Sequence, residues 1–291
     1  MKILITGANG MVGSYAKEVF GGDELILTDL PEHDVRDKEV VFDLFKRTKP
    51  QTVLHLAAET DVDRCELHPE EAYRSNVEAV ENVAQACKDH KAVLIYVSTG
   101  FVFSGKGRRE HTELDIPSPA NVYGRTKLEA ENLIKSLLSE FFIFRADWMI
   151  GGGPGKDKKF VGKIIKKCLA GEDIEAVDDM FSTPTFAKDF LSAINEFIPG
   201  KKYGLYHLAN KDLCSRYEMA LEIAALLGSR VKVSPVPSSR FPLPAPRAQS
   251  TGIKNYLLEQ MGYDLMPGWR ESLKEYVKEW GRRPLAGDRR P

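Results

Sequence analysis

The sequence predicts an α/β fold, a doubly wound parallel sheet followed by a smaller α+β C-terminal lobe, and three observations carry the prediction. Short apolar runs alternate with longer amphipathic ones through the first half, the rhythm of parallel strands joined by crossover helices. A glycine-spaced turn, Gly7-x-x-Gly10-x-x-Gly13, follows the first apolar run and opens the first amphipathic one. A glycine-rich break, Gly151-Gly152-Gly153-Pro154-Gly155, then separates residues 1–150 from 151–291, a length that holds one large domain or two sharing an interface.

Five strands are expected, at Lys2 to Thr6, Glu24 to Thr28, Thr52 to Leu56, Ala92 to Val97 and Phe141 to Arg145. Their Ile, Val, Leu and Phe content suits strands covered on both faces. Between them Met11 to Phe20, Lys38 to Arg47, Glu70 to Asp89 and Val122 to Leu138 place apolar residues at i, i+3, i+4 spacing, as in Val77, Val80, Val83 and Ala84, which predicts helices. After the break the pattern loosens. Helices are expected at Lys159 to Ala170, Phe186 to Ile198, Ser215 to Leu227 and Trp269 to Trp280, with short strands near Gly204 to Leu208 and Val231 to Val233 and a Pro-rich stretch from Pro235 to Pro246. Parts of 184–210 are expected to complete the first domain, and 282–291, with four Arg, two Pro and a Gly, reads as a frayed tail.

Composition narrows the function classes. Lys plus Arg number 41 against 42 Asp plus Glu, apolar residues make up 43% and charged residues 29%, which describes an ordinary globular protein. A duplex-DNA binder needs a basic surface to displace counterions, so no nucleic-acid partner is expected. No apolar run approaches the roughly 18 to 20 residues that cross a bilayer, so no membrane partner is expected and the protein reads as cytoplasmic. Cys65, Cys87, Cys168 and Cys214 show no close pairing, and no His pair has metal-ligand spacing. Reduced thiols and no metal site follow.

The glycine turn sits in the one context where its spacing has a mechanism. Glycines let backbone approach a pyrophosphate, and the following helix N-terminus offers unpaired N–H groups to it. Asp29, 22 residues after Gly7 and just past the second strand, is placed to accept hydrogen bonds from an adenosine ribose diol, or else to cap a turn. No Lys or Arg directly follows it, Leu30-Pro31-Glu32 being next, so electrostatics favour NAD(H) over NADP(H), with Arg36 able to swing in. Asp34-Val35 and Leu56-Ala57-Ala58 are candidates to border the adenine and pyrophosphate of this Rossmann site.

At the chemical end, Tyr123 and Lys127 lie one turn apart on one helix face. A cation held beside a phenol favours phenolate and moves its proton affinity toward neutrality. With ten Tyr in the chain, such a pair arises by chance about once, so order and spacing decide. Thr99, 24 residues earlier, falls at the carboxyl end of the fourth strand, where ligands of doubly wound sheets bind.

Gly7/Gly10/Gly13, Ser98-Thr99 and Tyr123-x-x-x-Lys127 together resemble the extended short-chain dehydrogenase/reductase superfamily. Within it Ser98-Thr99-Gly100-Phe101-Val102-Phe103-Ser104-Gly105, Asn121-Val122-Tyr123-Gly124-x-Thr126-Lys127, Phe144-Arg145-x-x-Trp148, Pro184-Thr185 and Tyr206-His207-Leu208 resemble the dTDP-4-dehydrorhamnose reductase family, over residues 1 to about 280. The resemblance implies hydride transfer from NADH or NADPH to the C4 ketone of a nucleotide-linked 4-keto-6-deoxysugar. It implies that Tyr123 protonates the developing alkoxide, Thr99 hydrogen-bonds the same oxygen, and Lys127 holds the nicotinamide ribose while lowering the Tyr123 pKa. It places Gly10, Met11, Val12, Asp29, Asp34, Val35, Ala58, Glu59 and Thr60 at the family's cofactor positions, beside which Gly7, Asn9, Gly13, Leu56, Ala57 and Val97 are further cofactor candidates, and Thr99, Gly100 and Trp148 with the sugar. It further implies a homodimer through the helix carrying Tyr123.

Four positions keep two readings. Trp148 packs against the sugar or is a core tryptophan. Lys158 and Lys159, standing where relatives carry Asn-Asn, meet the substrate diphosphate or form a solvated cluster. Gly100 stands where the family commonly has Asp, so one substrate hydrogen bond is missing or comes from elsewhere. Other chemistries of the superfamily fit less well. A 4,6-dehydratase needs ionisable residues where Gly100-Phe101 stands, and an epimerase-reductase needs a Cys between Cys87 and Cys168. A C4 epimerase uses the same Thr, Tyr and Lys, and a regulatory subunit like that of methionine adenosyltransferase would bind a dinucleotide without catalysis.

Overall fold

The computed structural model describes residues 1–282, so the tail expected from 282 falls, beyond its first residue, outside the described residues. Strands β1 (Lys2–Thr6), β2 (Glu24–Thr28), β3 (Thr52–His55), β4 (Val93–Thr99) and β5 (Phe141–Ala146) join an edge strand, Gly204–His207, in one six-stranded sheet. The spatial order is edge strand, β5, β4, β3, β1, β2, and every pairing is parallel. Side chains alternate between its two faces. Ile3, Ile5, Phe142 and Phe144 pack with Phe190, Ile194 and Phe197 of helix Ala187–Phe197. Leu4, Val53, Leu94 and Ile143 face the other way, onto Phe45, Val83, Ala130 and Ile134 of helices Lys38–Thr48, Ala79–His90 and Val122–Leu137.

Several elements depart from expectation. The first helix is short, a 3-10 turn Gly13–Tyr15 running into Ala16–Val19 and stopped by Gly21-Gly22. The helix expected over Glu70 to Asp89 is Pro69–Tyr73, a π-turn Arg74–Glu78, and Ala79–His90. The strand expected at Val231 to Val233 runs instead from Val233 to Val236, parallel to Ile174–Val177, whereas the one expected near Gly204 to Leu208, within the stretch expected to complete the first domain, spans Gly204–His207 beside β5. Pro235 is tolerated there because this pair has edges without ladder partners. Two short helices, Val62–Leu67 and Tyr256–Gln260, were not expected.

Helices Phe160–Ala170, Arg216–Leu226 and Trp269–Arg282 enclose a second core around Ile165, Met219, Ile223 and the fully buried Trp269. The glycine-rich break is fastened between the cores. The Gly152 N–H donates to Tyr15 Oη at 3.1 Å, and Tyr276 Oη donates to the Gly151 carbonyl at 3.1 Å. A Cβ on Gly151 would lie 2.8 Å from Ala187 Cβ, so glycine permits this close approach. No described helix is long and apolar enough to cross a membrane.

Candidate active site

The strand order reverses between β1 and β3, and there the carboxyl ends of both strands border a groove of about 340 Å³. Gly7, at φ +64°, starts the turn, and a Cβ on it would sit 2.7 Å from the Ala57 amide nitrogen. The close approach needs glycine on both counts. Gly13 lets the first helix settle on the turn, since a Cβ there would lie 2.4 Å from the Ala8 carbonyl oxygen. With so short a helix behind it, the helix dipole contributes less than the sequence suggests, and the turn is held by its own N–H groups, those of Ala8, Asn9 and Gly10 donating to the Thr28 carbonyl, Asp29 and the Gly7 carbonyl. Gly7, Gly10, Asp29, Asp34, Val35, Leu56, Ala57, Ala58 and Glu59 line the groove, together with His33, Arg36 and Arg64. Asn9, Met11, Val12, Gly13, Thr60 and Val97 do not line it.

Asp29 accepts N–H bonds from Asn9 and Leu30, each 2.8 Å, so it fastens the glycine turn to the end of β2. Arg36 is folded onto Asp34, its Nε 2.9 Å from one carboxylate oxygen and its Nη2 2.6 Å from the other. That guanidinium holds the Asp34 carboxyl below the usual carboxylate range. Lys156 reaches over from beyond the glycine break to donate to the Asn9 carbonyl at 2.7 Å. A glycine-floored groove with a fixed carboxylate at its adenosine end fits a dinucleotide.

Thr99 ends β4, and Tyr123 and Lys127 project from helix Val122–Leu137; all three are buried. Asn121 caps that helix through the Gly124 N–H at 2.9 Å. Gly124 lets the helix press on the chain after Thr99, since a Cβ on it would lie 2.3 Å from the Phe101 carbonyl oxygen. Thr99 Oγ1 accepts the Phe101 N–H at 3.2 Å and lies near enough to the Tyr123 phenol to lower its pKa. Burial is the largest influence on that phenol and raises its pKa, with Thr99 opposing. The downward pull expected from Lys127 is not among the influences on that phenol, because burial drives Lys127 itself toward the neutral amine. Lys127 stands 4.2 Å from the centroid of the Tyr96 ring, and burial pushes its pKa down to about 7, against the field of Glu131.

Glu131, one turn beyond Lys127, anchors the helix. Its carboxylate accepts from Arg145 Nε and Nη2 at 2.8 and 2.6 Å and from Ser98 Oγ at 2.6 Å. This buried, fully bonded pair fixes the helix against β4 and β5. On the other side, Asn76 Nδ2 donates to Thr126 Oγ1 at 3.1 Å and to the Glu59 carbonyl at 3.0 Å, while its Oδ1 accepts the Glu59 N–H at 2.9 Å. It joins the helix to the loop that borders the groove.

The residues expected to meet the sugar lie beyond β5. Trp148 adopts φ +36°, an unusual conformation for a bulky residue, and the Arg216 guanidinium covers its ring at 3.4 Å from the centroid. Burial lowers the Arg216 pKa to about 10, and among the described residues no carboxylate lies within 4.0 Å of it. Arg247 is paired with Asp63 at 3.1 Å. Lys158 and Lys159 are exposed at the start of helix Phe160–Ala170. Gly100 is packed against Asp147 and Thr251.

A family model described as the RmlD substrate binding domain matches residues 1–282. The dTDP-4-dehydrorhamnose reductase of Mycolicibacterium smegmatis is 31% identical over 95% of this chain and 85% of its own length. The chain belongs to the dTDP-4-dehydrorhamnose reductase family. The solved structure of the family's Yersinia enterocolitica enzyme superposes with a TM-score of 0.90 at 40% identity, covering 96% of this chain and 99% of that one. The Bacillus anthracis reductase, solved in complex with NADP, gives 0.91 at 31% identity, with 96% and 100% coverage. Against that family background, the residues sequence reasoning did not single out are Asn76, Glu131, Asp147, Arg216 and Arg247. Arg216 and Arg247 carried one weak signal, a cation near a Ser-x-x-Glu cap and one after the Pro-rich stretch.

Proposed function

We propose that this protein reduces the C4 ketone of a dTDP-linked 4-keto-6-deoxysugar, dTDP-4-dehydrorhamnose to dTDP-rhamnose, with NADH or NADPH as hydride donor. The observation that carries the reading is the meeting of Thr99, Tyr123 and Lys127, all buried, at the carboxyl end of the sheet. They stand on the side of the sheet where the glycine-floored groove opens.

On this reading Gly7, Gly10, Asp29, Ala57 and Ala58 hold the dinucleotide, and when bound its reduced nicotinamide supplies the hydride. The chain supplies the proton. Burial keeps the Tyr123 phenol protonated at neutral pH, the state a proton donor to the developing alkoxide requires. The Thr99 hydroxyl, its oxygen already engaged by the Phe101 N–H, turns its proton to the same substrate oxygen. Lys127 hydrogen-bonds the nicotinamide ribose and, once charged in that contact, stabilises the phenolate that Tyr123 becomes. Trp148 packs against the sugar. Arg216, with Lys158 and Lys159 at the rim, meets the diphosphate. We further assign the protein to the cytoplasm, in keeping with four buried free thiols, and to a homodimer, which light scattering tests.

The deciding assay follows nicotinamide absorbance with dTDP-4-dehydrorhamnose and its GDP and UDP counterparts. Turnover with the dTDP ketosugar is expected, and Tyr123→Phe is expected to lower kcat roughly 10²- to 10⁴-fold with dinucleotide affinity retained. Tight dinucleotide binding without turnover of any ketosugar would favour a binding protein, and a fully active Tyr123→Phe would remove Tyr123 from the proton-donor role.

A further inference from the structure

Thr99 of β4 lies opposite Ala146 of β5 in the parallel register, so residues 100 and 147 leave the sheet side by side. Residue 100 is a glycine, and the space beside it is filled by Asp147. A Cβ on Gly100 would stand 3.0 Å from Asp147 Cβ and Cγ and 2.4 Å from the Thr251 carbonyl oxygen. Asp147 is 2% exposed. Its carboxylate accepts from Thr251 Oγ1 at 3.0 and 3.1 Å and from the Thr183 N–H at 3.0 Å. Among the described residues no Lys, Arg or His nitrogen lies within 4.0 Å of it. A carboxylate buried without a counter-ion is costly, and nothing in the fold demands one there, since a neutral amide would satisfy the same two partners.

The charged and titratable groups that face it come from two neighbouring helices. Tyr123 on helix Val122–Leu137 is faced by Cys65 of helix Val62–Leu67, then by Asp147 and then by Glu59, and negative charge on each tightens the phenol's hold on its proton. Arg216 on helix Arg216–Leu226 opposes the charge through space while covering the ring of Trp148, the residue next to Asp147. Arg247 in turn acts on Arg216.

We propose that Asp147 is a positioning residue of the reduction: filling the place beside Gly100, it acts on Tyr123 through its charge, so that proton donation is faster when Asp147 is protonated. The proposal rests on the reductase reading above. The missing side chain after Thr99 thus has a counterpart, delivered from the neighbouring strand. Burial pushes the Asp147 pKa up to about 7, so the group changes charge near neutral pH. The sign is fixed. Ionised Asp147 raises the proton affinity of Tyr123, and ketone reduction slows as pH rises through that range.

The test compares wild type with Asp147→Asn, which keeps shape and lets the amide accept from Thr183 and donate to Thr251. The kcat for the dTDP ketosugar, the Kd for NADPH and tryptophan fluorescence of the free protein are measured from pH 6 to 9. The ratio of mutant to wild-type kcat is expected to rise about tenfold across the range, as the wild type alone gains the charge that holds the Tyr123 proton. NADPH affinity is expected to be unchanged, and a fluorescence titration near pH 7, seen through Trp148, is expected in wild type alone. Titration of Lys127 is common to both proteins and cancels in the ratio. Parallel pH profiles with turnover present would overturn the proposal, as would a fluorescence titration retained in Asp147→Asn. A wild type without turnover would overturn the reductase reading first and this proposal with it.

Discussion

The two ends of the proposed site are built by opposite means. At the cofactor end the recognition surface is backbone, held open by glycines and fastened by one carboxylate, Asp29, bonded to two N–H groups. At the substrate end it is side chains with buried charge or buried polarity, Lys127, Asp147 and Arg216, each with a proton affinity moved by desolvation. A backbone cradle tolerates any cofactor of the right shape, whereas buried charges are selective because each one left without its partner is penalised. Cofactor binding and substrate choice are therefore expected to break separately in this molecule.

The largest separate break is expected at Gly7. Alanine there needs a strained φ of +64° and puts a Cβ 2.7 Å from a backbone nitrogen of β3's extension. The conformation alone costs about 1 to 3 kcal/mol, and the displaced turn no longer meets an anion. Gly7→Ala is expected to lose dinucleotide affinity by roughly 100-fold or more, read by quenching of nicotinamide fluorescence, together with a lowered Tm. Unchanged affinity would mean that the turn is only a packing device. The counterpart at the substrate end is Arg216→Ala. Loss of a charge-assisted bond to the diphosphate is worth about 1.5 to 3 kcal/mol, so KM for the nucleotide sugar is expected to rise roughly 10- to 100-fold while Kd for the dinucleotide stays put. If Arg216→Ala instead altered both affinities equally, the two ends would not be independent.

The same contrast explains what was legible in the sequence. The cofactor turn is contiguous, and its spacing states its mechanism, so Gly7, Gly10 and Asp29 are placed by spacing alone. Strands β1, β2 and β5 were readable because apolar residues serve both faces. The proposed substrate end draws on residues 99, 123, 147 and 216, which share no period, and only the register of β4 on β5 brings 100 beside 147. Arg145 stood inside a recognisable motif, but its partner Glu131 on the catalytic helix could be found only when the helix lay on the sheet. The helix expected over Glu70 to Asp89 has the right apolar spacing throughout. Its π-turn, at Arg74–Glu78, turns Asn76 toward Glu59 and Thr126, and such bulges are set by tertiary demands that local spacing does not carry.

The smallest expected effect probes the one place where the backbone cradle uses charge to choose. Asp29 repels a ribose 2′-phosphate and Arg36 attracts one, but Arg36 is engaged by Asp34 through both its Nε and Nη2. A 2′-phosphate must therefore compete with a carboxylate for that guanidinium, and both partners are about one-third exposed, so the surrounding water weakens the pair to below about 1 kcal/mol. The cofactors are then expected to differ only several-fold, with NADH ahead. Arg36→Ala is expected to weaken NADPH about 3- to 5-fold and to leave NADH within twofold, a gap that narrows as ionic strength rises because screening acts on exposed charges. Competition assays with both reduced nicotinamides, in low and high salt, measure this directly. Equal losses for the two would assign Arg36 to holding the loop around Asp34, and a strong native preference for NADPH would mean that Asp29, tied to Asn9 and Leu30, presents too little charge to the ribose to discriminate.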